Sequence, residues 1–436
     1  MSTHATTANE PAWSWIIGGG LALILAGGAM FQMQFGGARG RDQFANSALT
    51  TVSGYETVTP GETVAPGSPI VESPDLAGAK AEDPVAPTTP RLQPWSPPAH
   101  QPDWLVAPCS PQRAAQVQQE WARHLGLPVE VDNSLGQKFR LIPPGIYDRG
   151  AQISAMESLL AAMPAEDTHW RDCLLSSTPA HRVVISKPFY LAVNETTQAE
   201  FQAITGRNPA WYSTTGPEPY YVEQVKGEDT ARHPVEGITW NDAHDFARLL
   251  TRSVQGKLAD VPHRNEISLA TAAVSAGEIE TGEQAALSDD KLRALVVQYR
   301  LPTDAEWEHA CRGGTATPFS FGDKEPTVTG WFGEPNGGRT WEIGRGEANP
   351  LGLFGVHSGV WEWVEDQWSV NEYGRQMDWP VHDPHFTSAT PLPRVVRGGM
   401  WPDRRSRSFD RYAYDSDFQT FFVGFRLAFD IPQAAD

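Results

Sequence analysis

The stretch that most constrains the fold is 394–429, which reads RVVRGGMWPDRRSRSFDRYAYDSDFQTFFVGFRLAF. It opens with a Gly-Gly turn, carries a dense run of arginines and aromatic residues, and ends in Gly-Phe-Arg before a short apolar strand. The whole chain contains 39 glycines, 36 prolines and 16 tryptophans. This composition predicts a loop-rich domain with an aromatic core rather than a stack of long helices.

Charge and cysteine content exclude some functions and leave others open. The net charge of −19 argues against a nucleic-acid partner, because phosphate binding needs clustered positive charge. Three cysteines allow at most one disulfide, so they do not indicate a redox compartment. We predict that Cys109 and Cys173 lie in loops and that Cys311 is an unreactive core residue on a helix.

The N-terminal region predicts a membrane anchor. Residues 1–11 form a polar tail, and 12–35 is an apolar stretch without charge, longer than the ~20 residues that a helix needs to cross a bilayer. A cleaved signal peptide is the competing interpretation. Because a basic segment before the apolar stretch is missing, we favour a retained transmembrane helix.

A low-complexity linker follows the anchor. Residues 36–101 are rich in Thr, Pro, Gly, Ser and acidic residues, and such a segment buries too little apolar surface to fold. Arg39 and Arg41 follow the anchor, which places the main domain in the cytoplasm by the positive-inside rule. A Pro/Thr-rich stalk is more common outside the cytoplasm. These two indications conflict, and the membrane side stays open.

The folded part is predicted to have a lead-in segment and one domain. The lead-in, 102–132, contains a helix that begins at Ser110 as N-cap and ends at Gly126. The domain covers 133–432, with an insertion at about 256–298 that carries a helix of its own.

Within the domain, strands and helix starts are predicted from local patterns. Alternating apolar residues predict strands in 138–150, with a turn at its two prolines, and in 181–193. Capping motifs predict helices after Thr197, Thr239 and Thr303.

Several blocks of the sequence are similar to one known family. They are VNETTQAEFQAITGRNPAWY, HPVEGITWNDAHDFARLL, YRLPTDAEWEHACRGGTATPFSFGD, ANPLGLFGVHSGVWEWVEDQW and the final RGG to GFR block. Together these blocks resemble the formylglycine-generating enzyme, or sulfatase-modifying factor, family. The lead-in resembles that of multi-domain or membrane-anchored bacterial members. The resemblance implies a compact, loop-rich α+β domain related to C-type lectins, with few helices and short strands.

The family's catalytic cysteines are missing. In the oxidase members, the final block carries two cysteines that bind copper; here their positions fall near Asp403 and Ser408, and no cysteine follows Cys311. Copper(I) needs soft thiolate ligands. Copper and oxidation of a substrate cysteine are therefore not expected, and we name no catalytic residue.

Calcium is a cofactor that the resemblance implies. In the family, the segment that corresponds to GVWEW contributes backbone carbonyls and a glutamate to a calcium site, which suits a hard cation. The matching residues here are Val360 and Glu362. Alternatively, Glu362 is a buried, hydrogen-bonded carboxylate between two core tryptophans.

The arginines of the final block are the best candidates for ligand binding. Arg404, Arg405 and Arg407 lie where the resemblance places the family's substrate groove, and Trp363 is added to this set. Guanidinium groups suit carboxylate, sulfate or phosphate recognition. The alternative is internal pairing with Asp403, Asp410, Asp415, Asp417 and nearby acidic residues in loops.

Two further predictions concern side chains outside the ligand set. Arg397 and Arg426 belong to the RGG and GFR elements and are predicted to hold the fold together. His382, Asp383 and His385 have the residue types of a metal site, but they lie in a proline-rich loop, and we predict an exposed loop.

These observations predict a membrane-anchored pseudoenzyme. The first hypothesis is a non-catalytic module that binds a protein, peptide or glycan in the former substrate groove. The alternative is a superfamily enzyme, either an oxidase or a metal-dependent oxygenase with other ligands. A third, weaker hypothesis is a structural cell-envelope component in which the stalk sets the reach.

Overall fold

The computed structural model describes residues 101–163, 165–259, 297–323, 339–375, 380–400 and 406–431. The predicted tail, transmembrane helix and almost all of the linker lie outside these residues, as does most of the predicted insertion at 256–298. Every helix in the described ranges is too short or too polar to cross a bilayer.

The helices of the described residues are Pro111–Leu125 (α1), Ile153–Ala161 (α2), Thr168–Leu175 (α3), Gln198–Thr205 (α4), Pro219–Gln224 (α5), Trp240–Ala259 (α6), Asp304–Arg312 (α7) and Glu372–Arg375 (α8). The strands are Leu105–Val106 (β1), Glu130–Asp132 (β2), Lys138–Ile142 (β3), Gly145–Arg149 (β4), His181–Ile185 (β5), Phe189–Ala192 (β6), Tyr299–Arg300 (β7), Trp361–Gln367 (β8), Val381–His382 (β9), Arg394–Arg397 (β10), Tyr412–Tyr414 (β11), Val423–Phe425 (β12) and Ala428–Asp430 (β13). Helices and short strands are mixed along the chain, which confirms the α+β prediction.

The described strands form three sheets, ordered β1-β4-β5-β9, β11-β10-β8-β12 and β2-β3-β6-β13-β7. One antiparallel ribbon joins the first sheet to the third, because β4 pairs with β5 while β3 pairs with β6. The predicted strand at 181–193 is therefore two strands, and that prediction is corrected. Pro188 lies between them and has no N–H for a sheet ladder.

The predicted helix caps are confirmed. The Ser110 hydroxyl accepts the backbone N–H of Arg113 at 3.1 Å, and Gly126 ends that helix in the left-handed conformation. Thr197 and Thr303 each form a complete capping box with a glutamate three residues later. These bonds satisfy N–H groups that the first helical turn leaves without partners.

Cys173 corrects a second prediction, because it lies in α3 and is fully buried rather than in a loop. The same face of α3 buries Trp170 and Leu174. This face packs into the core, so the helix is stabilised by tertiary contacts more than by its own propensity.

The sheet around β8 positions the candidate site. Strand β10 lies antiparallel on one side of β8 and β12 lies parallel on the other. Glu362 of β8 is opposite Arg397 in one ladder and opposite Gly424 in the other. The residues of the RGG, VWEW and GFR motifs therefore meet at the centre of one buried sheet.

Candidate functional site

The two positions near which the resemblance places the family's copper cysteines are only partly described. Asp403 lies outside the described residues, whereas Ser408 is fully buried. The Ser408 backbone N–H donates to the carbonyl of Pro318 at 2.7 Å, and its Oγ lies 3.7 Å from the Sγ of Cys311. A hydroxyl at this point offers no thiolate for copper(I).

Cys311 and His357 form a neutral pair beside Ser408. The Cys311 Sγ lies 3.7 Å from Nε2 of His357. Burial raises the pKa of the Cys311 thiol to about 12 and lowers the pKa of His357 to about 4. A reactive cysteine needs a lowered thiol pKa, and the predicted core position of Cys311 on a helix is confirmed.

His357 is held on both ring nitrogens. Its Nδ1 lies 2.6 Å from the carbonyl of Ser406, and Nε2 accepts the backbone N–H of Ser320 at 3.0 Å. These contacts assign the proton to Nδ1, since a carbonyl can only accept. The imidazole therefore links the segment before Ser408 to the loop after α7.

An exposed aromatic ring covers this buried pair. Phe321 is 54% exposed, stacks on Phe319 with ring centroids 5.1 Å apart, and meets the edge of His357 at 5.4 Å. Arg407 follows Ser406 and its Nη1 lies 3.2 Å from the Asp410 carboxylate. We call the region that contains the exposed Phe321, the mostly buried Arg407 and the buried Phe319 and Ser406 the front face.

The residues predicted to bind a ligand separate into three groups. Arg404 and Arg405 lie outside the described residues, and Arg407 lies on the front face, mostly buried and paired with Asp410. Trp363 is fully buried, and its indole N–H donates to the carbonyl of Ile238 at 3.2 Å. Trp363 therefore packs the core and presents no surface to a ligand, which corrects that prediction.

Arginines of the final block enter a buried ion network with α7. Asp304 lies 2.6 Å from Arg149 Nη2 and 2.8 Å from Arg411 Nε, and it also pairs with Arg397. Burial opposes its ionisation, but these three guanidinium groups together hold the pKa of Asp304 well below its usual range. The carboxylate is therefore charged and acts as the centre of the network.

Two more carboxylates complete the network. Glu308 pairs with Arg397 at 2.9 Å and with Arg312 at 2.7 Å, and Glu372 pairs with Arg149 at 3.3 Å and with Arg411. Arg397 and Arg411 therefore pair internally, as the alternative interpretation of these arginines predicted. Their carboxylate partners lie on α7 and α8 rather than in the final block. Of the carboxylates predicted in the final block, Asp410 pairs with Arg407.

Arg426 makes a separate buried pair with Glu362. Its Nε and Nη2 each lie 2.7 Å from one Glu362 oxygen, and the Trp307 indole N–H donates to the same carboxylate at 2.8 Å. A two-point pair of this kind is among the stronger charge-assisted arrangements. Arg397 and Arg426 thus both hold the fold together, as predicted.

Glu195 is a site residue that the sequence reasoning missed. Its side chain is buried against Gly355 and Gly359. A Cβ atom at Gly355 would lie 2.5 Å from a carboxylate oxygen of Glu195, and a Cβ atom at Gly359 would lie closer still. Both glycines have positive φ. Their backbone forms a cradle for this carboxylate. No local sequence pattern around Glu195 predicts this contact.

Glu195 lines a small cleft of about 50 Å³, whose walls include Arg339, Trp341 and Ser358. Burial raises the pKa of Glu195 to about 7, against the lowering effect of Arg426, and Glu362 raises it further. Two carboxylates therefore lie near one guanidinium group, and Arg426 is hydrogen-bonded to Glu362.

The calcium site predicted at Val360 and Glu362 lies close to Glu195. In the described ranges, no three or more His, Cys, Asp or Glu side chains are grouped so that they could hold a metal. Glu195, Glu362 and the carbonyl of Val360 nevertheless offer oxygen donors, which calcium takes. Both oxygens of Glu362 are hydrogen-bonded to Arg426, and calcium at this point stays a prediction.

The His382 segment has a structural explanation. Asp383 accepts the backbone N–H of Ser186 at 2.7 Å and also its hydroxyl, next to the pairing of β5 with β9. Both histidines are exposed. His382 ends strand β9, which corrects the loop prediction for this residue, whereas Asp383 and His385 follow in a loop that the aspartate fastens to the sheet.

Comparison with known proteins gives a family match across the domain. The family model described as sulfatase-modifying factor enzyme 1-like domain matches residues 128–431. The formylglycine-generating enzyme of Streptomyces coelicolor is 28% identical over 275 residues, covering 58% of this chain and 71% of that protein. The enzyme of Bos taurus is 27% identical over 286 residues, covering 58% and 68%.

Other similar proteins carry different names. The chaperone protein LppX of Paenibacillus barcinonensis is 25% identical over 237 residues, covering 45% of this chain and 72% of that protein. Among solved structures, PvdO from Pseudomonas aeruginosa matches with a TM-score of 0.47 and 19% identity, covering 70% of this chain and 99% of that one.

Proposed function

The chain belongs to the sulfatase-modifying factor family, and from that membership we propose that it is a binding protein without the family's copper chemistry. The observation that carries the proposal is Ser408, a buried hydroxyl at one of the two positions where the resemblance places a copper cysteine. Beside it, the Cys311 thiol is neutral because burial raises its pKa to about 12. A copper centre would need two thiolates here.

The ligand class is a protein, peptide or glycan that docks on the front face. Phe321 supplies an exposed ring, and Arg407 supplies a mostly buried guanidinium group that pairs with Asp410. Arg404 and Arg405 are included from the sequence alone. An aromatic anchor with arginine is a common composition for a binding surface.

The membrane anchor belongs to the same proposal. The apolar stretch 12–35 would hold the protein at a membrane by a single pass, and 36–101 would act as the stalk between membrane and domain. One relative bears the name of a chaperone protein, a role that involves binding.

The docking proposal is tested with the full-length protein, purified in detergent, on arrays of peptides and glycans. Phe321→Ala should weaken the affinity for the best ligand about tenfold, which corresponds to about 1.4 kcal/mol. Ile153→Ala removes another exposed apolar side chain, on α2, and should leave affinity unchanged. Absence of any ligand, or equal binding by the Phe321 variant, would contradict the proposal.

The alternative function is a superfamily oxidase or metal-dependent oxygenase that uses other ligands. The family membership supports it, since relatives include formylglycine-generating enzymes. A stoichiometric redox metal in the purified protein would separate this function from binding. A structural cell-envelope role would instead show neither a metal nor a ligand on the front face.

We also propose weak calcium binding at Glu195, Val360 and Glu362. A ligand of the native state stabilises it by mass action, by about 1.4 kcal/mol at tenfold excess over Kd. Calcium at about 10 mM, well above the weak Kd range of extracellular sites, should therefore raise the melting temperature by roughly 3 °C. Glu195→Gln should abolish this rise, whereas Glu347→Gln, at an exposed carboxylate, should keep it. An equal rise with magnesium, or in the Glu195 variant, would exclude this site.

A further inference from the structure

A group of partly exposed aromatic rings lies on the described surface and takes no part in the front face. Tyr221 meets Phe421 with ring centroids 4.7 Å apart, and Phe421 meets Phe422 at 5.1 Å. We call the whole group the aromatic patch; its members are Trp211, Tyr220, Tyr221, Tyr414, Phe418, Phe421 and Phe422.

Ring contacts make the patch continuous. Trp211 and Tyr220 each contact Tyr221, with ring centroids 5.2 and 5.1 Å apart. On the other side, Phe422 meets Tyr414 at 6.0 Å, and Tyr414 stacks on Phe418 at 4.2 Å. Three separate chain segments therefore supply one row of rings.

The rings keep part of their surface in water. Tyr220 is 44% exposed, and the other six rings are half-buried. Scattered apolar residues on a surface are ordinary, but a contiguous apolar patch marks an interaction site. Tyrosine and tryptophan are also enriched in protein interfaces because they combine an apolar body with a polar tip.

Acidic residues border the patch. Asp415 and Asp417 are exposed and lie on either side of the turn that leads to Phe418, and the exposed Glu218 precedes α5. Partial burial raises the pKa of Asp415, and the negative charge of Asp417 raises it further against His169. The two aspartates thus repel one another at the edge of an aromatic surface.

We propose that the aromatic patch docks a lysine- or arginine-bearing segment of a partner protein. The cationic groups would lie over the tyrosine rings and against Asp415 and Asp417. Cations are attracted to aromatic faces by the ring quadrupole, and the same cations relieve the repulsion between the two carboxylates. This proposal is independent of the front face, which shares no residue with the patch.

The charges favour this occupant over two others. A neutral glycan also stacks on aromatic rings, but it leaves the repulsion between Asp415 and Asp417 in place. A second copy of this chain brings a net charge of −19, so its approach to an acidic border is opposed. Opposite charge across the contact is the arrangement that gives specificity.

The test is isothermal titration of the full-length protein with three probes. They are a 12-residue peptide that alternates lysine and serine, the same peptide with glutamate for lysine, and a neutral hexasaccharide of N-acetylglucosamine. The lysine peptide should bind and the other two should not. Its affinity should fall as salt rises, because exposed charges are screened.

Variants locate the binding. Asp415→Asn combined with Asp417→Asn should lower the affinity for the lysine peptide at least tenfold, and Tyr220→Ala about fivefold. The control combines Asp148→Asn with Glu347→Gln, which removes two exposed carboxylates elsewhere, and should change the affinity less than about twofold. Unchanged melting temperatures would show that the variants fold.

Three results would overturn the proposal. The lysine peptide could bind no better than the glutamate peptide, or the control variant could lose as much affinity as the Asp415 and Asp417 variant. Preferential binding of the hexasaccharide would instead make the patch a glycan site.

Discussion

Arg397→Met should lower the unfolding free energy by about 3–5 kcal/mol, because removal of one partner from a buried ion network leaves the other charges uncompensated. Arg397 is fully buried and pairs with Asp304 and Glu308, and its Nη1 also donates to the carbonyl of Ser408 at 3.0 Å. Methionine has a similar volume but supplies none of these donors.

The expected loss is measured as thermal unfolding of the full-length protein in detergent. It corresponds to a fall of roughly 10 °C in melting temperature. Arg182→Met is the matched control, since Arg182 pairs with Asp148 at 3.1 Å but is 36% exposed. Exposed pairs contribute about 0–1 kcal/mol. A loss in Arg397→Met no larger than in the control would show that the network does not stabilise the fold.

Gly150→Ala should cost about 3 kcal/mol or more, through backbone strain together with a steric clash. Gly150 has a φ of 83°, and a Cβ there would lie 2.4 Å from the carbonyl oxygen of Ser177, a backbone atom. Its own N–H donates to Glu308 at 2.8 Å, and its carbonyl accepts from Arg312 at 2.9 Å. A shift of this backbone would therefore also disturb the ion network.

Gly206→Ala is the matched control for Gly150→Ala. Gly206 has a φ of 78°, but a Cβ at this position would meet no atom within 4 Å among the described residues. The unfolding free energy should therefore fall by only about 1–2 kcal/mol, which is the cost of alanine in the left-handed conformation. Thermal unfolding of both variants separates strain from clash. Equal losses in the two variants would mean that the Ser177 carbonyl moves aside without cost.

Helix starts were predictable because each cap is a local bond between a side chain and a backbone group three residues away. Thr303 and Glu306 form such a capping box, and every atom of it is encoded within one turn. The family was predictable for a related reason, since its blocks are short and ordered along the chain. Both kinds of signal are contained within a few residues.

The ion network was not predictable because its members are far apart in the sequence. Arg149, Asp304 and Arg411 come from different parts of the chain and meet only when β4, α7 and the loop before β11 pack together. No spacing rule selects Asp304 rather than a carboxylate of the final block as the partner. The same holds for Glu195, whose burial depends on the glycines at 355 and 359.

Trp363 was misplaced for a different physical reason. An alternating pattern identifies one buried and one exposed face of a strand, but β8 lies between β10 and β12 and is buried on both faces. A tryptophan on such a strand packs the core whichever way it points. The ligand role assigned to it from its motif therefore fails, while Phe321, for which no role was predicted, carries the exposed ring.

The family motifs of this chain supply residues that stabilise the fold. The RGG, VWEW and GFR elements keep Arg397, Glu362 and Arg426 in buried pairs. Ser408 lies against the same core without a thiol. The groups that stabilise the fold are thus those of the family motifs, and the proposal is that Ser408 replaces a copper ligand on this scaffold.

The most direct test of the proposed loss of copper chemistry is elemental mass spectrometry of the full-length protein after incubation with copper(I) under reducing conditions and removal of loosely held metal. We expect no stoichiometric copper or iron, because the sequence contains no cysteine after Cys311 to supply the thiolate pair. Stoichiometric copper or iron would contradict the proposal and place the protein among the family's redox enzymes, with ligands other than the expected cysteines.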